Sequence, residues 1–229
     1  MANEPYNKDT GGHSGRSCRM LILLPDGKIH KLSLPFLSIS FREAPLTATL
    51  LAALTPPELQ FDITICDASV SRVPLDHPFD LVAISIITGT AIEGYRLADL
   101  FRAKGAKVVI GGVHATLMPE EAAAHADALM TGFGETTWPK MCRDFCAGSL
   151  KPRYDGGSPD LAGLPWPRRD LQNRFGYMMP QTVFATRGCR NTCDFCAVVG
   201  AKFGWHTCPL KRWPLKSRPS PGSALRSTT

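Results

Sequence analysis

The sequence has no apolar run near the roughly 18 residues that a membrane span needs, so no spanning helix is expected among its 229 residues. Its first 17 residues are polar and glycine-rich, without an apolar stretch behind a basic start. That argues against a secretory signal. Repeats of solenoid length are missing too. Acidic residues are absent from Ala201 onward, where six of the 26 basic side chains lie. The other 20 basic residues meet 20 acidic ones, so the net charge of +6 belongs to a Pro- and Ser-rich tail. A nucleic-acid-binding face is built from basic side chains on folded elements, so no nucleic-acid partner is expected. The expected setting is the reducing cytoplasm, where clustered cysteines are metal ligands more often than disulfides.

What is present is an alternation of apolar strands and helices in a composition ordinary for a globular protein, 44% hydrophobic and 20% charged. Residues 1–18 read as a disordered leader. Residues 20–24, a continuous apolar run closed by Pro25-Asp26-Gly27, fit a strand buried on both faces. Strands are also expected at 61–66, 81–86, 107–110 and 128–131. Helices are expected at 45–54, stopped by Pro56-Pro57, at 91–104, ended by Gly105, and at 119–126 and 135–146. The fold class is α/β, a doubly wound parallel five-stranded sheet over residues 19–147. Residues 148–180, with five prolines and no period, read as a linker. Residues 181–186 look like a new strand.

Ligands of such sheets sit at the carboxyl ends of the strands. The candidate binding residues there are Ser85 and Thr88, then Gly111, Gly112, His114 and Thr116, then Gly132, Gly134 and Glu135. None of these loops carries G-x-G-x-x-G after the first strand, which weakens a nicotinamide role. His114 is open to two readings: a ligand contact, or a loop histidine bonded to backbone. Asp26 and His30 read as a turn acid and an exposed loop base.

Three of the eight cysteines fall within eight residues, Cys189, Cys193 and Cys196, spaced C-x3-C-x2-C behind residues 181–186. Soft thiolates hold iron–sulfur cores, and three of them leave one iron open to a chelating ligand. Gly188 allows a sharp turn ahead of the first cysteine, and Phe195 offers an apolar wall beside the last. The alternative is a structural zinc site with Cys208 or His206 as fourth ligand. Cys66 reads as a buried small hydrophobe, and Cys142 and Cys146 as two residues on one helical face.

The T-R-G-C and C-D-F-C segments around Cys189, Cys193, Phe195 and Cys196 resemble the radical SAM superfamily. With G-G-x-H-x-T at residues 111–116 and G-x-G-E at 132–135, the chain resembles the cobalamin-binding class of that superfamily over residues 20–196. The resemblance implies the start of a radical SAM (β/α) barrel at residues 181–204. It implies a 4Fe-4S cluster on the three cysteines, with S-adenosylmethionine on the open iron and cobalamin on the α/β domain. The implied reaction is reductive cleavage of S-adenosylmethionine coupled to methyl transfer or a radical rearrangement, with an electron donor such as flavodoxin or ferredoxin. The D-x-H-x-x-G loop that supplies a histidine to cobalt is absent, so the corrinoid would bind without a histidine beneath it.

Only 33 residues follow Cys196, room for about one βα unit. From Trp205 the sequence loses both periods, so residues 205–229 read as an irregular basic tail. The expectation is a truncated or frame-shifted member lacking most of its catalytic barrel. A corrinoid-binding fragment without catalysis, or a zinc-stapled α/β binding protein, are the alternatives.

Overall fold

The computed structural model describes residues 17–27, 31–34 and 37–209. In chain order the elements are β1 (Arg19–Leu24), β2 (Lys31–Leu34), β3 (Leu37–Glu43), α1 (Leu46–Leu54), β4 (Asp62–Asp67), β5 (Leu81–Ser85), α2 (Ala91–Ala103) and β6 (Lys107–Gly111). There follow α3 (Val113–Leu117), α4 (Pro119–Ala123), β7 (Ala128–Gly132), α5 (Trp138–Cys146), β8 (Arg153–Gly156), β9 (Tyr177–Met179), β10 (Thr186–Gly188), α6 (Ala197–Gly200) and β11 (Trp205–Thr207).

The main sheet has the order β4-β1-β5-β6-β7-β8, and every pairing in it is parallel. Alternate side chains of its central strands enter two cores. Leu21, Leu23, Val82, Ile84, Val108 and Ile110 meet α2 through Leu97, Ala98 and Phe101. Met20, Ile22, Leu81, Ala83 and Val109 meet α1 and α5 through Ala48, Ala52, Trp138 and Met141. Burial on both faces is why these strands are runs of apolar residues and not alternating ones. Helix α2 ends in a Schellman motif on Gly105, at φ +89°; Gly105 N–H donates to Arg102 O and Ala106 N–H to Phe101 O.

From β1 the chain steps through α1 to β4 on one side, then crosses to β5 on the other, which places the topological switch between β1 and β5. The doubly wound α/β expectation therefore stands as an open parallel sheet, with one correction: it has six strands, not five. The sixth, β8, lies inside the stretch read as linker. As an edge strand it inserts one large apolar side chain, Tyr154, 4% exposed, so it leaves no periodic signal. The Tyr154 hydroxyl donates to Asp144 of α5 at 2.9 Å.

A small sheet, β2-β3-β9, stands apart from the main one. It reaches the main sheet where the Tyr177 hydroxyl donates to Asp67 Oδ2 at 2.7 Å, at the end of β4. The strand expected at 181–186 is instead β10, starting at Thr186. Its neighbour is β11, antiparallel, drawn from the stretch that showed no period. A (β/α) barrel opens with parallel neighbours, and among the described residues β10 has none. The residues read as a leader lie outside the described residues up to 16, as do His30 and residues 210–229 of the tail. No helix among the described residues is long and apolar enough to cross a membrane.

Candidate functional site

Two neighbouring cavities lie along the carboxyl edge of the sheet. The larger, about 300 Å³, has Ser85, Gly111, Gly112, Gly132, Gly134 and Glu135 in its lining, with an apolar flank of Leu50, Leu51, Met130 and Trp138. The smaller, about 180 Å³, sits at the β1/β5 switch against Pro25, Asp26, Gly27, Asp67, Gly89 and Tyr177. Thr47, Ser85 and Ile87 border both, so an extended ligand laid along the edge could reach from one to the other.

The glycines keep the edge low, and two of them are also required by the fold. Gly112 has φ +102°, and a Cβ there would stand 2.4 Å from Ile86 O. Gly132 has φ +71°, and its Cβ would collide with the Gly156 carbonyl. Gly134 differs: a Cβ there meets Met130 and Leu51 side chains only at 3.7 and 3.8 Å, ordinary contact distances.

The remaining candidates on this domain lie outside the cavity linings. The stretch 111–116 is not a loop after Gly112 but the helix α3. Its His114 is 7% exposed, with Nδ1 at 3.2 Å from Thr88 Oγ1 and Nε2 at 3.6 Å from Glu121 Oε1. His114, Thr88 and Thr116 are outside the lining of both cavities. The Thr116 hydroxyl donates to Gly112 O at 3.0 Å and accepts the Gly132 N–H at 2.9 Å. It thereby ties the two glycine turns together.

The cysteine loop is placed by the β10–β11 hairpin. Cys189 N–H donates to Gly204 O at 2.9 Å, and Cys196 N–H to Cys193 O at 3.1 Å. Cys196 is the N-cap residue of α6. All three thiols are half-buried, while Phe195 is 93% exposed. The donor set has the chemistry of an iron–sulfur site, but among the described residues no three His, Cys, Asp or Glu side chains gather as a metal-holding group. The alternative fourth ligands are engaged elsewhere: His206 Nε2 lies 3.0 Å from Phe203 O, and Cys208 Sγ 3.9 Å from Leu161 O.

Several lining residues escaped the sequence reading. Phe133 stands between two motif glycines and Arg187 ahead of the first cysteine, so both had a signal. Leu50, Leu51 and Trp138 had none, being indistinguishable from core positions of α1 and α5.

Sheet order, switch point and glycine-edged cavity together define an α/β cofactor-binding domain of the doubly wound class. Residues 19–141 match the B12 binding domain family, and the chain belongs to it. The bacteriochlorophyllide d C-8(2)-methyltransferase of Chlorobaculum tepidum is 32% identical over 153 residues, covering 64% of this chain and 34% of that protein. The bacteriochlorophyllide d C-12(1)-methyltransferase of the same organism is 30% identical over 181 residues, covering 72% and 38%. The chain thus spans little more than a third of the length of these curated relatives.

Proposed function

We propose that this chain binds a corrinoid along the carboxyl edge of its sheet and belongs to a methyl-transfer system, with the cysteine loop as the site of a 4Fe-4S cluster. The observation that carries the corrinoid part is the family match over residues 19–141, joined to the glycine-edged cavity in that segment. Methyl transfer is taken from the names of the two relatives, both methyltransferases. Radical SAM chemistry is supported by the C-x3-C-x2-C spacing and by Phe195 before the last cysteine.

In this reading Gly111, Gly112, Gly132 and Gly134 let the macrocycle approach the backbone, and Ser85 offers a hydroxyl between the two cavities. Leu50, Leu51 and Trp138 exclude water from one side. Corrinoid supplies a carrier for the methyl group; the cluster, with an electron from a donor such as flavodoxin or ferredoxin, supplies the reductive cleavage of S-adenosylmethionine. Cys189, Cys193 and Cys196 would hold that cluster once drawn together. His114 is outside the lining of both cavities, held by Thr88 and Glu121.

A second reading, corrinoid binding without catalysis, is favoured by the three thiols not being gathered among the described residues. Anaerobic reconstitution separates the two. The full reading expects about four irons per chain, lost in Cys193→Ala, together with hydroxocobalamin retained through gel filtration. Corrinoid retained without iron uptake leaves the second reading, and tightly held zinc in place of iron ends the cluster assignment.

A further inference from the structure

The larger cavity is bounded on one side by the cysteine hairpin itself. Arg187, Gly188, Val198 and Phe203 line it across from the glycines of β6 and β7. Arg187 Nη2 lies 2.8 Å from Glu135 Oε1, whose side chain is 6% exposed. The guanidinium stands 5.4 Å from the Phe133 ring centre and 4.6 Å from that of Phe184. Phe203 packs on Phe133 at 4.9 Å between centroids. The contact therefore combines a partly buried ion pair, a cation over two aromatic faces and an aromatic pair.

Size gives this contact a consequence. A cavity of about 300 Å³ is at the bottom of the range, about 300–1,000 Å³, that serves drug-sized ligands. A corrinoid is larger than those, so it cannot seat on the glycine edge while the hairpin holds this position.

We infer that the Glu135–Arg187 pair is a latch: it holds the β10–β11 hairpin over the carboxyl edge in the cofactor-free chain, and corrinoid binding requires its release. The inference rests on the corrinoid reading of the cavity. When only the open fraction of molecules can bind, apparent affinity falls by that fraction, so weakening the latch tightens binding. Linkage makes the effect reciprocal. A bound corrinoid holds the hairpin away from Phe133 and changes the accessibility of Cys189, Cys193 and Cys196. Cofactor occupancy and exposure of the cysteine loop are then one equilibrium.

The test uses the full chain, metal-free and reduced, as wild type, Arg187→Ala, Glu135→Gln and Arg187→Lys. Arg187→Ala leaves the Glu135 carboxylate buried without a cation, which opening of the hairpin relieves. Glu135→Gln removes the ion pair and leaves the uncompensated charge on Arg187, whose side chain is 22% exposed and can turn to solvent. Both are expected to alkylate at Cys189, Cys193 and Cys196 faster than wild type, with Cys146 as internal reference. Both are expected to bind hydroxocobalamin about 5- to 10-fold more tightly, at the low end of site-to-site couplings. Arg187→Lys keeps the cation but loses the planar stack on Phe133 and Phe184, so it is expected to fall between wild type and Arg187→Ala in both measurements.

Unchanged alkylation in both charge-removing variants overturns the latch. Hydroxocobalamin binding that weakens in them also overturns it, because Arg187 would then be a direct contact. If no variant binds hydroxocobalamin while alkylation accelerates, the corrinoid reading falls and the hairpin latch survives as a contact. Circular dichroism with Cys66 still unlabelled reports that the α/β domain remains folded.

Discussion

At the residue scale, the glycines of the sheet edge divide into those the fold requires and those only a ligand would require. Gly112 is at φ +102°, with Ile86 O 2.4 Å from any Cβ. Gly112→Ala is expected to lower stability by about 2–4 kcal/mol, read as a shift of the urea midpoint, so loss of binding there says little about a ligand. Gly134→Ala meets only ordinary contacts and should change stability by less than about 0.5 kcal/mol. Its effect on hydroxocobalamin affinity is then a clean reading of how closely the macrocycle approaches. The cysteines divide the same way. Burial pushes the Cys66 thiol up to about 12 and also raises that of Cys142, so neither presents thiolate at pH 8. Iodoacetamide at that pH should leave both unmodified in the native chain while reaching exposed Cys146, as peptide mass mapping would report. Labelling of Cys142 at the rate of Cys146 would contradict the buried α5 face.

At the element scale, side-chain clasps join consecutive βα units. Thr116 links the turn after β6 to the turn after β7 through its hydroxyl. Thr116→Val orphans the Gly132 N–H, so a loss of about 1–2 kcal/mol is expected; an unchanged urea midpoint would remove Thr116 from this role. Asp127 clasps the start of β6, accepting from Val108 N–H and Lys107 Nζ at 2.9 Å each. Burial would raise its carboxyl, but those donors and Arg102 hold it below the ordinary carboxylate range. A carboxyl depressed in the folded state stabilises fully above the ordinary value, about 3.9. That stabilisation fades as pH falls through the lower folded value. The stability gap between wild type and Asp127→Asn should therefore be constant from pH 7 to 5 and shrink below about pH 4.

These clasps also mark what the sequence could and could not reveal. Strands β1, β5, β6 and β7 were legible because two-sided burial demands continuous apolar runs, and α2 because its stripe and Gly105 agree. Strand β8 was not, since an edge strand with one buried tyrosine has no period. The hairpin β10–β11 was not legible, because two strands of three residues each are too short to carry a pattern. Its position comes from Gly188 and Gly204 closing on each other and from Arg187 reaching Glu135. The binding edge was readable from its glycines, and Thr88, His114 and Thr116 entered the candidate set as neighbours of that edge in the segments after β5 and β6. None of the three lines either cavity.

At the scale of the whole molecule, the cavity edge is assembled from the ends of β5, β6 and β7, so a ligand there bridges segments far apart in sequence. Ligand at 100 times its dissociation constant adds about 2.7 kcal/mol to the folded state when the unfolded chain does not bind. For a chain of this size each kcal/mol moves the melting temperature by about 2–4 °C. Hydroxocobalamin at that excess should therefore raise the melting temperature of the full chain by about 5–11 °C. The control is Gly134→Leu. Its Cβ position is free of clashes and faces Met130 and Leu51 of the cavity wall, so the larger side chain obstructs the site from a backbone position that tolerates a Cβ. That variant should melt near the wild-type temperature alone and show no shift with the corrinoid. A full shift in Gly134→Leu would place the corrinoid away from this cavity and leave the glycine edge with its folding role alone.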